Sequence, residues 1–441
     1  MSHAQIAVLG TGMAAFGAGH RLHAAGVPFV CYDKNAYHGG HTRSIRYRNG
    51  FVFDEGVHIS FTKHEHVARI LARNVRDRYH ERQFAIDNYW HGHRIPHPVQ
   101  CHLRGLPLEL VVKVIADFCD ARTQPSSPPH AQETYADWLI AAYGKTFAET
   151  FPMAYGRKYH TTTMDRLTTD WIGPRMYRPS IEDLLRGALG EPTPQTHYIQ
   201  GYRYPSSGGF VSYLDPFAER FELRLNHRLV GLDPRAKLLR FANGETRRYS
   251  RVISSIPLPD LIATIDGASD AVREASRKLA FTSAVLVNVA VNRAALSEAA
   301  TTYFYDEDIV FSRVNLPHMF SPTNAPEGCG SIQAEVYFSD KYKPLDADPD
   351  ALAETVVRDL RRCGFIAPGD EILLLDTTVN RYANVIYDFD RTAALAVVHG
   401  FLEEAQIEYC GRYGDWNHAW TDEAFMSGER AAARVLSRLT S

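Results

Sequence analysis

The opening stretch, from Ile6 to Ser44, constrains this chain more than any other. Ile6-Ala7-Val8-Leu9 is a short apolar run of strand character, and Gly10-Thr11-Gly12-Met13-Ala14-Ala15 follows it at once as a G-x-G-x-x-A turn. A helix-like run continues to Ala25 and stops at Gly26; Val27 to Tyr32 reads as a second strand that delivers Asp33. Each part has a mechanical reason. Gly10 lets the chain turn sharply off the strand, Gly12 leaves room for backbone to approach a pyrophosphate, and Ala15 keeps helix and strand close. The helix N-terminus offers unpaired N–H groups and the positive end of its dipole to an anion. Asp33, about twenty residues on, is placed to accept hydrogen bonds from ribose hydroxyls. A bare glycine motif also serves ordinary turns. The strand before it, the helix after it and the acid at that distance favour dinucleotide binding.

Composition excludes several classes. The 441 residues allow two or three domains, or one large domain with insertions. The formal net charge is −3 with no block of like charge, so nucleic acid or an anionic membrane has no electrostatic footprint here. No apolar run is long enough to span a bilayer, and the start of the chain shows no signal-peptide pattern. The six cysteines are scattered without a C-x-x-C, which fits a reducing cytoplasm better than a disulfide framework or a zinc site. The expected setting is therefore cytoplasmic and the expected partner a small molecule. Among the twenty histidines, His91, His93, His97 and His102 crowd one Pro- and Gly-containing segment. They lack helical i,i+4 spacing and a nearby Cys or carboxylate set, so the segment reads as a solvated or substrate-facing loop and no metal is expected.

Further along, Gly39-Gly40-His41-Thr42-Arg43 suits a second close backbone approach to phosphate, with a flexible turn as the alternative. Phe51 to Ser60 reads as a strand ending in a polar turn that carries Gly56, Val57 and His58. From about 64 to 200 the pattern is helical with proline-marked breaks, including Leu108 to Cys119, Thr134 to Phe151 and a loop at 124–129 between them. Leu223 to Leu232 and Leu238 to Phe241 alternate as strands, with Asn243-Gly244 as a hairpin turn. Val252 to Pro257 is another buried strand. Runs at 283–292, 309–315 and 331–338 suggest an antiparallel sheet, and Asp348 to Cys363 a helix. The chain closes with Gly411-Arg412-Tyr413-Gly414-Asp415-Trp416, then Ser427-Gly428 expected to open the last helix. Three glycine devices, at 10–15, 39–40 and 411–428, are more than a single phosphate contact needs. A long cofactor with pyrophosphate, ribityl chain and isoalloxazine could use all three, which favours FAD over NAD.

With these residues in view, the chain resembles the FAD-containing amine oxidase superfamily, which includes protoporphyrinogen oxidase. Within it the chain is similar to UDP-galactopyranose mutase and its oxidoreductase-like relatives. The likeness covers almost the full length and is carried by Gly10 to Ala15, Asp33, Gly39-Gly40, Phe53-Asp54, Gly56, His58, and Gly411-Arg412, Gly414, Trp416 with Ser427-Gly428. The resemblance implies FAD, with its pyrophosphate at Gly10, Gly12, Met13, Ala14 and Ala15 and its ribose at Asp33 and Lys34. Gly39, Gly40, His41 and Thr42 complete that part, and Val230 meets the adenine through its backbone. The isoalloxazine is implied near Gly56, Val57, His58, Gly411, Arg412, Trp416, Ala424 and Phe425, with His58 tuning the flavin. For substrate, it implies Arg175 and Arg313 on a diphosphate, helped by Tyr303, and Gln100 in a base-binding segment. That segment has His97 and Val99 in place of aromatics. Asn384 and His418 stand where two phosphate-binding tyrosines occur in the mutases, and Ala154-Tyr155-Gly156 replaces a Pro-Tyr-Asn.

The fold expected is mixed α/β, with a Rossmann-like FAD-binding domain, a helical cap and an antiparallel-sheet substrate domain. The boundaries expected are 1–75, 200–265 and 395–441 for the FAD part, 76–199 for the cap and 266–394 for the sheet. Two chemistries compete. One is oxidation of an anionic, sugar-like, phosphate-activated substrate by hydride transfer to flavin N5. The other is a redox-neutral pyranose/furanose mutase, with reduced flavin N5 as nucleophile. A flavin-bearing scaffold without catalysis is the third possibility.

Overall fold

Contiguous apolar runs, as opposed to alternating ones, need cover on both faces, and the first sheet provides it. In the computed structural model, which describes residues 5–83, 85–123, 134–173, 176–190, 199, 201–346 and 348–440, five strands form an all-parallel sheet. Their order is Ile407–Tyr409, Val252–Ser254, Ile6–Leu9, Phe29–Tyr32, Leu223–Arg224. The three central strands are buried at every position. Phe16, Phe217, Phe221 and Phe425 cover one face, while Leu232, Leu258, Trp416 and their neighbours cover the other. A three-stranded antiparallel sheet, Leu229–Asp233, Leu238–Phe241 and Thr246–Arg248, lies beside it, with Gly244 at positive φ in the turn.

The opening helix Met13–Ala24 crosses the closing helix Thr421–Thr440 very closely. A Cβ on Gly17 would sit 2.0 Å from the Phe425 carbonyl oxygen, and one on Gly428 would sit 1.9 Å from that of Ala14. This corrects the reading of Ser427-Gly428 as a helix opening. The closing helix begins at Thr421, and Gly428 is bare to let two backbones meet.

The second sheet has seven strands in the order Ile372–Val385, Phe281–Val291, Gly330–Phe338, Arg313–Asn315, Thr301–Phe304, Ile86–Trp90, His93–Pro96. All neighbours are antiparallel except Thr301–Phe304 with Ile86–Trp90. The register sets Arg313 opposite both Tyr303 and Glu335. The last two strands correct the expectation of helix, and of a histidine-rich loop, before residue 100. His91 and Gly92 both take positive φ and make a two-residue hairpin turn, while Tyr89 and Ile95 turn inward. Tyr79–Gln83 also forms a strand, paired with Gly201–Pro205, so the intervening segment leaves and returns through one two-stranded ribbon.

That segment carries the helices Leu108–Thr123, Tyr135–Tyr143, Lys145–Thr150, Pro152–His160 and Ile181–Leu189. Capping boxes start two of them, Thr134 with Asp137 and Ser180 with Asp183. Gly144 separates two others where a side chain would strike the Asp117 backbone. The helices close around Trp138, Tyr143, Phe147 and Phe151. The expected loop at 124–129 lies outside the described residues. No described helix is long and apolar enough to cross a membrane.

Candidate active site

The two sheets and the helical segment enclose one elongated cavity of about 960 Å³. At one end the turn after Ile6–Leu9 forms its floor. Gly10 has φ +114°, and a Cβ there would lie 2.1 Å from Ser255 Oγ and 3.8 Å from the Ala15 Cβ. Gly12 is different: a Cβ there would meet only Gly39 and Gly40 at ordinary distances. Its bareness is left for whatever occupies the cavity. The Gly39 N–H donates to Thr11 O (3.0 Å), which docks the second glycine turn on the first. The opening helix has no capping side chain at Gly12, so its first amides face the cavity unpaired at Met13 and Ala14. Asp33 is buried and held by Thr11 Oγ1 (2.7 Å) and the Asn35 N–H (2.9 Å).

Toward the middle, Gly411 (φ +80°) brings its turn against Ala14, and its N–H donates to Ser427 Oγ (2.9 Å). Arg412 donates to the carbonyls of Ala419 (3.0 Å) and Ala383 (3.2 Å) and to Asn384 Oδ1 (3.4 Å). Among the described residues it forms no ion pair, so its charge stays uncompensated. His58 Nδ1 lies 3.0 Å from Gly56 O. Burial pushes His58 down to about 4 and His41 to about 3, with Arg412 reinforcing the shift in both. Both rings are thus neutral near pH 7, and His58, donating Nδ1–H to Gly56, keeps Nε2 as an acceptor.

The far end is rich in phenols. Tyr135, Tyr143, Tyr177, Tyr305 and Tyr337 each spend their hydroxyl on a protein partner. Tyr155, Tyr159 and Tyr303 line the same cavity, and their hydroxyls have no partner among the described residues. Tyr155 stacks on Tyr159 (5.5 Å, 20°) and meets Tyr303 edge-on (5.3 Å). Arg313 donates from Nε (3.0 Å) and Nη2 (2.6 Å) to Glu335 Oε2. Glu335 also accepts from Tyr337 and from Asn315 Nδ2 (2.7 Å), so its carboxylate is fully occupied. Burial, the largest single effect, would lower the Arg313 pKa, but Glu335 together with Tyr337, Tyr155 and Tyr303 raises it well above the usual arginine range.

Most residues singled out in the sequence gather on this wall: Gly10, Gly12, Met13, Ala14, Asp33, Lys34, Gly39 to Thr42, Gly56 to His58, Gln100, Tyr303, Arg313, Asn384, Gly411, Arg412, His418 and Ala424. Gln100 Nε2 is engaged by Tyr177 O (3.2 Å), and the His418 ring stacks on Tyr387 (4.9 Å). Four of the residues singled out stand off the cavity lining. Trp416 and Phe425 are fully buried in the two faces of the parallel sheet and do not reach the cavity. The Val230 side chain is exposed, while His227, Arg228 and Leu229 line the cavity beside it. Ala15 lies behind the wall, packed near Gly10. Arg175 lies outside the described residues. The sequence reading missed Glu335, Tyr159 and His160. The i,i+4 spacing of Tyr155 and Tyr159 was a usable signal, whereas the Glu335 partnership is set by strand register.

The sequence profile of the flavin containing amine oxidoreductases matches residues 17–436. The chain belongs to this family. Its cofactor is FAD and it is an enzyme. Among solved structures, a reduced UDP-galactopyranose mutase superposes with a TM-score of 0.92 at 22% identity, covering 100% of this chain and 97% of that one. Cyclohexylamine oxidase from Brevibacterium oxydans IH-35A gives 0.70 at 13% identity (99% and 100%), and a putrescine oxidase variant 0.66 at 14% (98% and 99%). These likenesses are likenesses of fold. No curated protein matches the chain. The cavity fits the cofactor. It is long and continuous, it has a side-chain-free turn with open helix amides beside a fixed carboxylate, and an uncompensated cation stands further along it.

Proposed function

We propose that this FAD enzyme oxidises an anionic, phosphate-activated, sugar-like substrate. When bound, FAD supplies a hydride acceptor at N5. In this reading Gly10 to Ala14 and Gly39-Gly40 hold the pyrophosphate and Asp33 the ribose, and the segment around Val230 meets the adenine. His58 and Arg412 stand beside the ring system. The division expected from the sequence belongs to the same proposal, with the hairpin Ile86–Pro96 lent to the substrate sheet. A cytoplasmic setting rests on the sequence alone.

The observation that carries the substrate class is the charge balance of the phenol-lined end. Among the described residues, Arg412 beside that end is uncompensated, three phenols are free to donate, and the buried carboxylate of Glu335 has no capacity left for an ammonium. Such a surface accepts anions and hydroxyls and disfavours a cationic amine. Tyr155, Tyr159 and Tyr303 would orient the substrate, Arg313 would offer its remaining Nη1, and the helical segment would exclude water.

A redox-neutral pyranose/furanose mutase is the second reading, favoured by the full-length overlay at a TM-score of 0.92 on the UDP-galactopyranose mutase. There Arg313 and the phenols would hold a departing phosphate. The test is a screen of activated sugars with the holoenzyme, aerobically and anaerobically, before and after dithionite reduction. Bleaching of the flavin absorbance by a sugar phosphate supports oxidation. Turnover only after pre-reduction, with no net electron flow, supports the mutase. Bleaching by simple amines alone would overturn both.

A further inference from the structure

The helix Pro152–His160 carries two kinds of residue. Tyr155 and Tyr159 line the phenol-rich end of the cavity, whereas Arg157 and Lys158, between them in sequence, stand off its lining. Both cations reach the turn that follows the strand Thr301–Phe304. Lys158 Nζ donates to Phe304 O (3.2 Å) and Asp306 O (2.9 Å), the carbonyls on either side of Tyr305. Arg157 donates from Nε (2.8 Å) and Nη2 (2.7 Å) to the two carboxylate oxygens of Glu307, a bidentate pair. The turn is itself held in place. The Asp306 carboxylate accepts the His91 N–H (3.0 Å), and the Tyr305 N–H donates to Tyr89 O (3.1 Å). Across the same joint Tyr155 meets Tyr303 (5.3 Å) and Tyr305 (6.2 Å) edge-on.

We infer that Arg157 and Lys158 are positioning residues: they set the spacing between Tyr155 and Tyr159 on the helix and Tyr303 and Tyr305 on the sheet, and through it the affinity of the phenol-rich end for its substrate. The assignment rests on the reading of that end as the substrate site given above. Arg157 and Glu307 are largely exposed, and such a pair alone holds about 0–1 kcal/mol. Lys158 carries more of the joint, because its partly buried ammonium makes charge-assisted bonds to two backbone carbonyls. Burial pushes Lys158 down to about 7, against the opposing pull of Asp306, Cys363 and Glu307 and with Lys343 adding to the fall. The groups that face it are therefore Asp306 and Glu307 on the turn, Cys363 after the helix Pro349–Arg362, and Lys343 beyond the strand Gly330–Phe338, besides its neighbour Arg157. Below pH 7 the ammonium holds the turn. As pH rises through 7 the folded protein gives up that proton, both bonds lose their charge assistance, and the helix loosens from the strand end. Arg157, whose pKa its hydrogen bonds to Glu307 raise, stays charged throughout.

The experiment titrates galactose 1-phosphate into the holoenzyme between pH 6 and 8.5, following the flavin difference spectrum, for the wild type, Lys158→Arg and Lys158→Met. The ionisation of the phosphate is common to all three proteins and cancels in their ratios. At pH 6 the wild type and Lys158→Arg should bind alike, and Lys158→Met about fivefold more weakly, because part of a lost charge-assisted contact reaches the site. Toward pH 8.5 the wild type should fall about threefold behind Lys158→Arg, whose guanidinium keeps its charge. A lysine with only a structural role would lower the thermal midpoint of Lys158→Met and leave the affinity ratios independent of pH. If Lys158→Met binds like the wild type at pH 6, or the ratio of wild type to Lys158→Arg stays constant up to pH 8.5, the inference is overturned while the substrate reading stands. Should Lys158→Met fail to fold, the comparison with Lys158→Arg decides alone. A wild type that binds no galactose 1-phosphate at any pH overturns the substrate reading, and the inference with it.

Discussion

Glu335 is almost wholly buried and accepts hydrogen bonds from Arg313, Tyr337 and Asn315. Breaking a buried pair by removing one charge leaves the other uncompensated, which costs about 3 kcal/mol or more. Glu335→Gln should therefore lower stability by about that amount in urea unfolding. It should also free the Arg313 charge and tighten inorganic phosphate binding, read from the flavin spectrum. Unchanged phosphate affinity would remove Arg313 from the anion site. The same pair shows what a sequence can disclose. Gly10, Gly12 and Asp33 act through local chain geometry, so their spacing was readable. Arg313 was readable as a cation, but its neutralisation by Glu335, twenty-two positions away, depends on strand register. His160 and Tyr159 went unread because only tertiary packing decides which side of a short helix faces a cavity.

At the scale of elements, the crossing of the helices Met13–Ala24 and Thr421–Thr440 ties stability to cofactor retention. Both Gly17 and Gly428 lie where one methyl group would collide with backbone. Overpacking of this kind costs about 1–3 kcal/mol. Gly428→Ala should lower the thermal midpoint, and because it pushes directly on Ala14 it should also hasten FAD release, measured by the rise in free-flavin fluorescence. A destabilised variant that holds FAD as tightly as the wild type would break this link. The element-level reading succeeded where periodicity was strong, as in Leu108–Thr123 and Pro349–Arg362. It failed at Ile86–Pro96, where histidines and prolines mask the inward alternation of Tyr89 and Ile95, and at Gly428, where a packing glycine looks like a turn glycine.

For the molecule as a whole, the buried His160 and the half-buried, cavity-lining His41 and His58 contribute to the acid limb of stability. His41, His58 and His160 have pKa values pushed by burial from 6.5 to about 3, 4 and 4. The unfolded chain binds protons at these sites near pH 6.5 and the folded chain does not. Their stabilisation is therefore complete above that pH and lost as pH falls toward 4, at up to about 1.4 kcal/mol per pH unit for each. Asp54 works in the opposite sense: burial raises it to about 6, so its folded form takes up a proton between pH 6 and 3.8 and offsets part of the loss. The urea midpoint of the apoprotein should fall between pH 6.5 and 4, and a flat midpoint across that window would contradict the burial of these rings.

The strand Ile6–Leu9 sits at the centre of its sheet, between Phe29–Tyr32 and Val252–Ser254, with Ile407–Tyr409 beyond and the closing helix locked against Ala14. The turn proposed to cradle the pyrophosphate is thus encoded early in synthesis but shaped by segments made late. A nascent chain still on the ribosome, lacking residues 407–440, has the motif without its support. Coenzyme loading is then expected to follow translation of that segment, because until it emerges Ala14, Gly17 and Ala18 lack the helix that packs on them.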